Sequence, residues 1–134
     1  LGPGRTCRAA GELVVSIDLP RPPAGGGSAF ERLTRRRGMD LASVSAACAV
    51  QPSGALGFGF GAVGPTPIFV GLDAPGVLDA DNRAARNAAV EDAAAAARPI
   101  GDIRAGEAYR RAMVPVLARR ALVRALEQIW KETP

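Results

Sequence analysis

Two alternating runs joined by a short turn constrain this chain more than any other feature. From Asp40 to Val50 the residues Leu41, Ser43, Ser45, Ala47 and Ala49 alternate with Ala42, Val44, Ala46, Cys48 and Val50. The alanine content suits a helix, but the period of two suits a strand. "QPSG" follows, and then a second alternating run, "ALGFGFGAV". Two runs of strand length around Pro, Ser and Gly predict a β-hairpin. In the second run Leu56, Phe58, Phe60 and Ala62 fall on one face and Gly57, Gly59 and Gly61 on the other. A glycine face permits close approach of another backbone or a ligand, and dense packing is its simpler explanation.

The remaining segments fit around that hairpin. "ELVVSIDLP" (residues 12–20) alternates as a strand, with Leu13, Val15, Ile17 and Leu19 on one face. "PRPPAGGGS" then reads as a loop, stiff first and loose after. Residues 29–36 suit a short strand leading to a corner at Gly38. Residues 80–97 are rich in alanine and predict a helix that Pro99 ends. From Glu107 a long amphipathic helix is expected, with Val114, Leu117, Ala118, Ala121, Leu122, Ala125 and Ile129 on one side. Pro115 should kink that helix or make it begin afresh. Strands first and helices last predict an α+β domain, an antiparallel sheet covered on one face by helices.

Composition limits the chemistry. The 134 residues make one domain with a sizeable core. Histidine is absent, which removes His-based triads, imidazole metal sites and imidazole proton shuttles. Cys7 and Cys48 have neither metal-ligand spacing nor a disulfide framework, and a reduced, cytoplasmic setting is expected. Pro, Gly or charge interrupts every apolar run before the roughly 18 residues of a membrane helix, and no signal-peptide pattern is expected at the N-terminus. The first residue is Leu1 rather than Met, so a processed product or a piece of a longer protein is expected. The net charge of +4 is concentrated at the front: residues 1–40 hold seven Arg against four acids.

Three motifs need weighing. "GFGAVG" (residues 59–64) has the spacing of a dinucleotide fingerprint, but that mechanism needs a helix to follow, and "PTP" follows instead. "AGGGSAF" lacks the Lys-Ser/Thr ending of a phosphate loop and reads as a flexible connection. "RLTRRRGMD" packs Arg32, Arg35, Arg36 and Arg37 into six positions ahead of Asp40. It suits nucleic acid, internal pairing with acids such as Glu31 and Asp40, or contact with a bound cofactor or partner subunit. Interleaved aromatics, the usual companion of a nucleic-acid site, are sparse: only Phe30 is near.

Several segments in order resemble a known family. "RAAGELVVSIDLPRPP" approximates an "RPGEL"-type opening. "SAFERLTRRRGMDLASVSAACAV" is similar to the segment that opens the C-terminal domain of flavoprotein subunits in the molybdenum hydroxylases, among them carbon monoxide dehydrogenase and xanthine dehydrogenase-like enzymes. "GAVGPTPIFV" resembles their "G-x-x-A-P-T-P" strand, and "RPIGDIRAGEAYRRAMVPVLARRAL" their closing "P-x-x-D-x-R-x-S-x-x-Y-R" helix. The resemblance implies an antiparallel sheet of three or four strands packed on a three-helix bundle. It implies residues 1–19 as the last strand of a preceding FAD-binding domain, residues 20–28 as a Pro/Gly linker and residues 29–134 as the C-terminal domain. FAD would be held mostly by a domain absent here, with molybdopterin on a large partner subunit and iron–sulfur clusters on a small one. The family position of a flavin-side Lys falls on Arg32, and Arg36, Arg37 and Asp40 fall in the matching corner. On this basis the chain should close over the flavin and dock partner subunits in an electron-transferring oxidoreductase, without catalysing alone. The alternative is a stand-alone basic module that binds protein or nucleic acid through residues 32–37. Two departures from the family pattern stand out: Gly106 replaces the small hydroxyl residue expected to cap the last helix, a change worth only a few tenths of a kcal/mol, and the hairpin turn is short.

Overall fold

The alternating runs pair as expected in the computed structural model, which describes residues 5–132. The elements in chain order are β1 (Gly27–Leu33), β2 (Val44–Val50), β3 (Ala55–Gly61), β4 (Ile68–Asp73), α1 (Arg83–Ala94) and α2 (Glu107–Glu132). One sheet holds the strands in the order β1-β2-β3-β4, each pair antiparallel. The central hairpin turns through residues 51–54. Gly54 takes the left-handed conformation there (φ +87°) and donates its N–H to the Gln51 carbonyl at 2.9 Å.

One face of this sheet makes the core. Val44, Ala46, Cys48 and Val50 of β2 and Leu56, Phe58 and Phe60 of β3 are buried against Val114, Leu117, Ala118, Ala121, Leu122, Ala125 and Leu126 of α2. The period of two on the strands and the i, i+3, i+4 stripe on the helix therefore meet at one apolar layer. Ala89, Val90 and Ala93 of α1 extend it. The Trp130 indole N–H donates to the Leu78 carbonyl at 2.8 Å, and the Arg86 guanidinium stands 5.7 Å from the centre of the Trp130 ring, tying the β4–α1 connection to the end of α2.

The helix lies unusually close to the edge strand. A Cβ at Gly27 would overlap the carbonyl oxygen of Ala125. The Gln128 amide accepts from Ser28 N at 3.0 Å and donates to Ser28 O at 2.8 Å, so α2 also covers the outward hydrogen-bonding groups of β1 at that residue. Arg124 pairs with Glu31 beside it.

Two expectations are corrected. The described residues hold two helices, not the three of the implied bundle. Pro99, Gly101 and Gly106 keep residues 95–106 out of a helix, and α2 runs through Pro115 without a fresh start. Residues 12–20 form no strand. Leu13, Val15, Ile17 and Leu19 are exposed, because a strand exists only through a partner and no strand among the described residues pairs with them. Residues 1–4 of the expected 1–19 segment lie outside the described part.

The contact at Gly27 leads to a paired expectation. Gly27→Ala should lower the unfolding free energy by about 1–3 kcal/mol. Gly59→Ala, whose Cβ would meet only the Ala47 methyl at 3.8 Å, should raise it by about 0.5 kcal/mol. Urea denaturation of the two variants checks both signs.

Candidate functional site

The sheet face away from the helices is open, and the strand register lays out its rows. Arg32, Ser45 and Gly61 form the first row; Phe30, Ala47, Gly59 and Phe69 the second; Ser28, Ala49, Gly57 and Gly71 the third. Small residues make the floor. Phe30 (60% exposed) and Phe69 (77% exposed) stand at the two sides. The Phe69 ring lies over Gly57, where a Cβ would come within 3.1 Å of it. The glycine face is thus not packed by the chain's own core, contrary to the simpler expectation.

The basic cluster sits at one end of this face. Arg32 is on the face itself, at the end of β1, while Arg35, Arg36 and Arg37 are exposed on the loop from β1 to β2. Ser43 N donates to Leu33 O at 2.7 Å and closes the loop at its base. Asp40 organises the interior: its Oδ2 accepts from the backbone N–H of Arg35 at 3.1 Å and of Arg36 at 3.2 Å, and its Oδ1 from Leu41 at 3.0 Å. Partial desolvation pushes the Asp40 carboxyl up, but the hydrogen bonds from Arg36, Leu41 and Arg35, with the charge of Arg36, outweigh it and leave the pKa lowered. Asp40 therefore shapes the corner from within. The guanidinium groups of Arg32, Arg35, Arg36 and Arg37 make no hydrogen bond or close ion pair with the described residues, and they present their donors outward.

A second cluster, missed in the sequence, braces the same end. Arg110, at the start of α2, is 3% exposed. Its Nη1 donates to the Ala62 carbonyl at 2.7 Å and its Nη2 to Asp102 Oδ1 at 2.6 Å. Asp102 also accepts from the Arg104 side chain at 2.7 and 3.0 Å and from the backbone N–H of Arg104 and Ala105. Side-chain hydrogen bonds from Arg104 are the largest cause holding the Asp102 carboxyl well below the usual carboxylate range, aided by the Arg104 backbone and by Arg110. The signal was present: stepping back four residues from Val114 along the apolar stripe reaches Arg110, a charge on a buried face that requires a carboxylate partner.

Other chemistries find no support among the described residues. Burial pushes the Cys48 thiol up to about 12, so it stays neutral and acts as core. No group of three metal-ligating side chains gathers, and no helix is long and apolar enough to cross a membrane. The "GFGAVG" stretch ends β3 and is followed by β4, so no helix N-terminus is there to hold a pyrophosphate.

A helix-backed antiparallel sheet with a basic corner on its open rim defines an α+β domain. Residues 28–125 match the CO dehydrogenase flavoprotein C-terminal domain, and the chain belongs to that family. The carbon monoxide dehydrogenase medium chain of Afipia carboxidovorans is 37% identical over 121 residues, which cover 86% of this chain and 41% of that protein. Among solved structures, a reconstituted CO dehydrogenase from Oligotropha carboxidovorans superposes with a TM-score of 0.78 at 33% identity, over 95% of this chain and 46% of its own. A carbon monoxide dehydrogenase from Hydrogenophaga pseudoflava that lacks the Mo-pyranopterin moiety of its molybdenum cofactor gives 0.66 at 28% identity, over 82% of this chain and 40% of its own. The chain spans less than half the length of these relatives.

The two acids and the free arginines differ in what they should do when changed. Arg32→Gln, Arg36→Gln and Arg37→Gln should each leave stability within about 0.5 kcal/mol of the parent, whereas Asp40→Ala should lower the urea midpoint clearly. For Asp102, a depressed folded-state value contributes stability that is complete above the ordinary value of 3.8 and is lost as pH falls toward the folded value. Asp102→Asn should therefore be less stable than the parent at pH 7, and the gap should narrow as pH drops below 3.8; melting both proteins across pH 2–7 tests this.

Proposed function

We propose that this chain acts as the C-terminal domain of the FAD subunit of a molybdenum hydroxylase-type oxidoreductase. The observation that carries the reading is the set of unpaired guanidinium groups of Arg32, Arg36 and Arg37 at the rim of an open sheet face, in a chain of this family. Such donors fit the phosphates or the electron-rich edge of FAD held by a neighbouring domain. The residues present fit a contact and not a cradle: neither the rim nor the loops supply the glycine-rich, helix-capped site that would enclose a pyrophosphate. FAD, when bound to the partner domain, supplies the electron-accepting chemistry. The contribution of this chain is to close over the flavin with Arg32, Arg36 and Arg37, with Asp40 holding the corner in shape. Molybdopterin and iron–sulfur clusters belong in this reading to large and small partner subunits, and the setting is cytoplasmic. Residues 1–19 would then belong to the FAD-binding domain and residues 20–28 to a linker. Alone, the chain should not catalyse.

A second reading keeps one specific observation. Phe30 is exposed two residues from Arg32 on the same face, which is the pairing of cation and stacking ring that single-stranded nucleic acid uses.

Titration of FAD, with and without an N-terminal FAD-binding domain of the carbon monoxide dehydrogenase medium-chain type, separates the two. The chain alone should leave flavin fluorescence unchanged, and the pair should form a complex that the triple change Arg32→Gln, Arg36→Gln, Arg37→Gln weakens about tenfold or more, roughly one lost charged hydrogen bond. Failure to engage the FAD-loaded domain, together with DNA binding that falls steeply with salt, would overturn the flavoprotein reading.

A further inference from the structure

The turn after β3 is strained, and Arg110 holds it. Ala62 has φ +61°, the one positive value outside glycine among the described residues. A Cβ disfavours that region, and such strain persists only where the surroundings over-determine it, often beside a functional surface. Here the determinants are visible. Arg110 donates to the Ala62 carbonyl at 2.7 Å, and the Arg98 backbone N–H donates to the Val63 carbonyl at 2.8 Å. Val63 is completely buried, and Arg110 is itself fixed by Asp102.

Beyond this clamped base the chain emerges at once. Pro65, Thr66 and Pro67 are exposed. Two prolines fix two of the three φ angles, so the tip is stiff, and a stiff tip on a clamped base has a set direction. Thr66 carries the tip's single N–H and its single hydroxyl. The register puts Gly61, where this turn begins, in one row with Ser45 and Arg32. The tip and the basic corner therefore rise from the same end of the sheet.

We propose that Arg110 is a positioning residue that locks the strained Ala62 turn, and that the tip it directs, through Thr66, is a contact element for an FAD-bearing partner domain. The second half of this inference rests on the function proposed above; the first half does not. Lysine at position 110 would keep the charge but lose the fork that reaches both Ala62 and Asp102. Glycine at position 62 would adopt the turn without a clamp.

Four forms of the 134-residue chain test this: Arg110→Lys, Ala62→Gly, the double variant, and Thr66→Val. Amide hydrogen exchange at Arg98, whose N–H donates to the Val63 carbonyl, the urea midpoint, and affinity for the FAD-loaded N-terminal domain are read for each. Arg110→Lys should speed exchange at the Arg98 amide at least tenfold and weaken partner binding at least tenfold. Adding Ala62→Gly should restore most of the affinity without restoring the urea midpoint. Thr66→Val should weaken binding with the midpoint unchanged. Exchange unaltered in Arg110→Lys would overturn the clamp, and if that variant does not fold, a Thr66→Val protein that binds like the parent would still overturn the contact. If the parent chain fails to bind the FAD-loaded domain, the proposed function and the role of Thr66 fall together, while the clamp stands or falls on the exchange data alone.

Discussion

The close seating of α2 on the sheet is the contact on which the rest of the structure depends. Ala118, Ala121 and Ala125 give the helix a low surface, and Gly27 lets β1 come up against the Ala125 carbonyl. Small residues on both sides shorten the distance between the layers, so Phe58, Phe60, Leu117 and Leu122 fill the space around the contact rather than holding the layers apart. The consequence is one-sided. A single long helix and a shorter companion cover one face of four strands, and none of the described elements covers the other. The open face is therefore a result of how the core is built, not a separate feature.

That asymmetry also explains what the sequence made legible. Alternation in β2 and β3 was readable because one face of each strand is buried and the other is not, and the buried set is the one with Val44, Phe58 and Phe60. The apolar stripe of α2 was readable for the same reason. The strand expected over residues 12–20 has equally good alternation, yet it stays unpaired, since local pattern reports a preference for a sheet and cannot supply the partner. Among the site residues, the arginines and Asp40 were visible in the sequence as a charge cluster. The work of Asp40 on three backbone N–H groups was not visible, because the fold of a loop depends on hydrogen bonds that composition does not encode. Ala62 was illegible for a sharper reason: the alternation continues through it as a strand position, and an alanine flanked by Gly61 and Gly64 carries no signal that it takes the left-handed conformation.

Nine of the arginines divide into five paired with carboxylates and four that are not, and the division has a physical cause. Arg110 and Arg104 share Asp102, Arg111 pairs with Glu107, Arg119 with Glu91, and Arg124 with Glu31. These lie on or near α2, where helical spacing and the neighbouring strand bring acids into reach. Arg32, Arg35, Arg36 and Arg37 lie where Glu31 is taken by Arg124 and Asp40 has both carboxylate oxygens engaged by backbone N–H groups. The loop keeps its shape by using the carboxylate internally, and the cost is four positive charges without a counter-charge at contact distance among the described residues. Paired arginines on the helical side are poorly suited to recognise an anion, since a ligand would have to displace an existing partner. The unpaired ones need displace only water.

The two loops at this end of the sheet are braced by the same device applied in two ways. In the basic corner a carboxylate gathers backbone donors; in the turn after β3 a guanidinium gathers backbone and carboxylate acceptors. Both arrangements use a charged side chain to fix backbone rather than to face solvent, and both spend buried or half-buried groups on a rim that the core does not require. A rim built only for solubility would gain nothing from such fixing, because exposed loops tolerate motion without loss of stability. Fixed loops lower the ordering cost of association. The bracing of two adjacent loops around unpaired cations therefore sets this end of the sheet apart from the helical side, where Arg111, Arg119 and Arg124 already have carboxylate partners, and it fits the contact proposed for it.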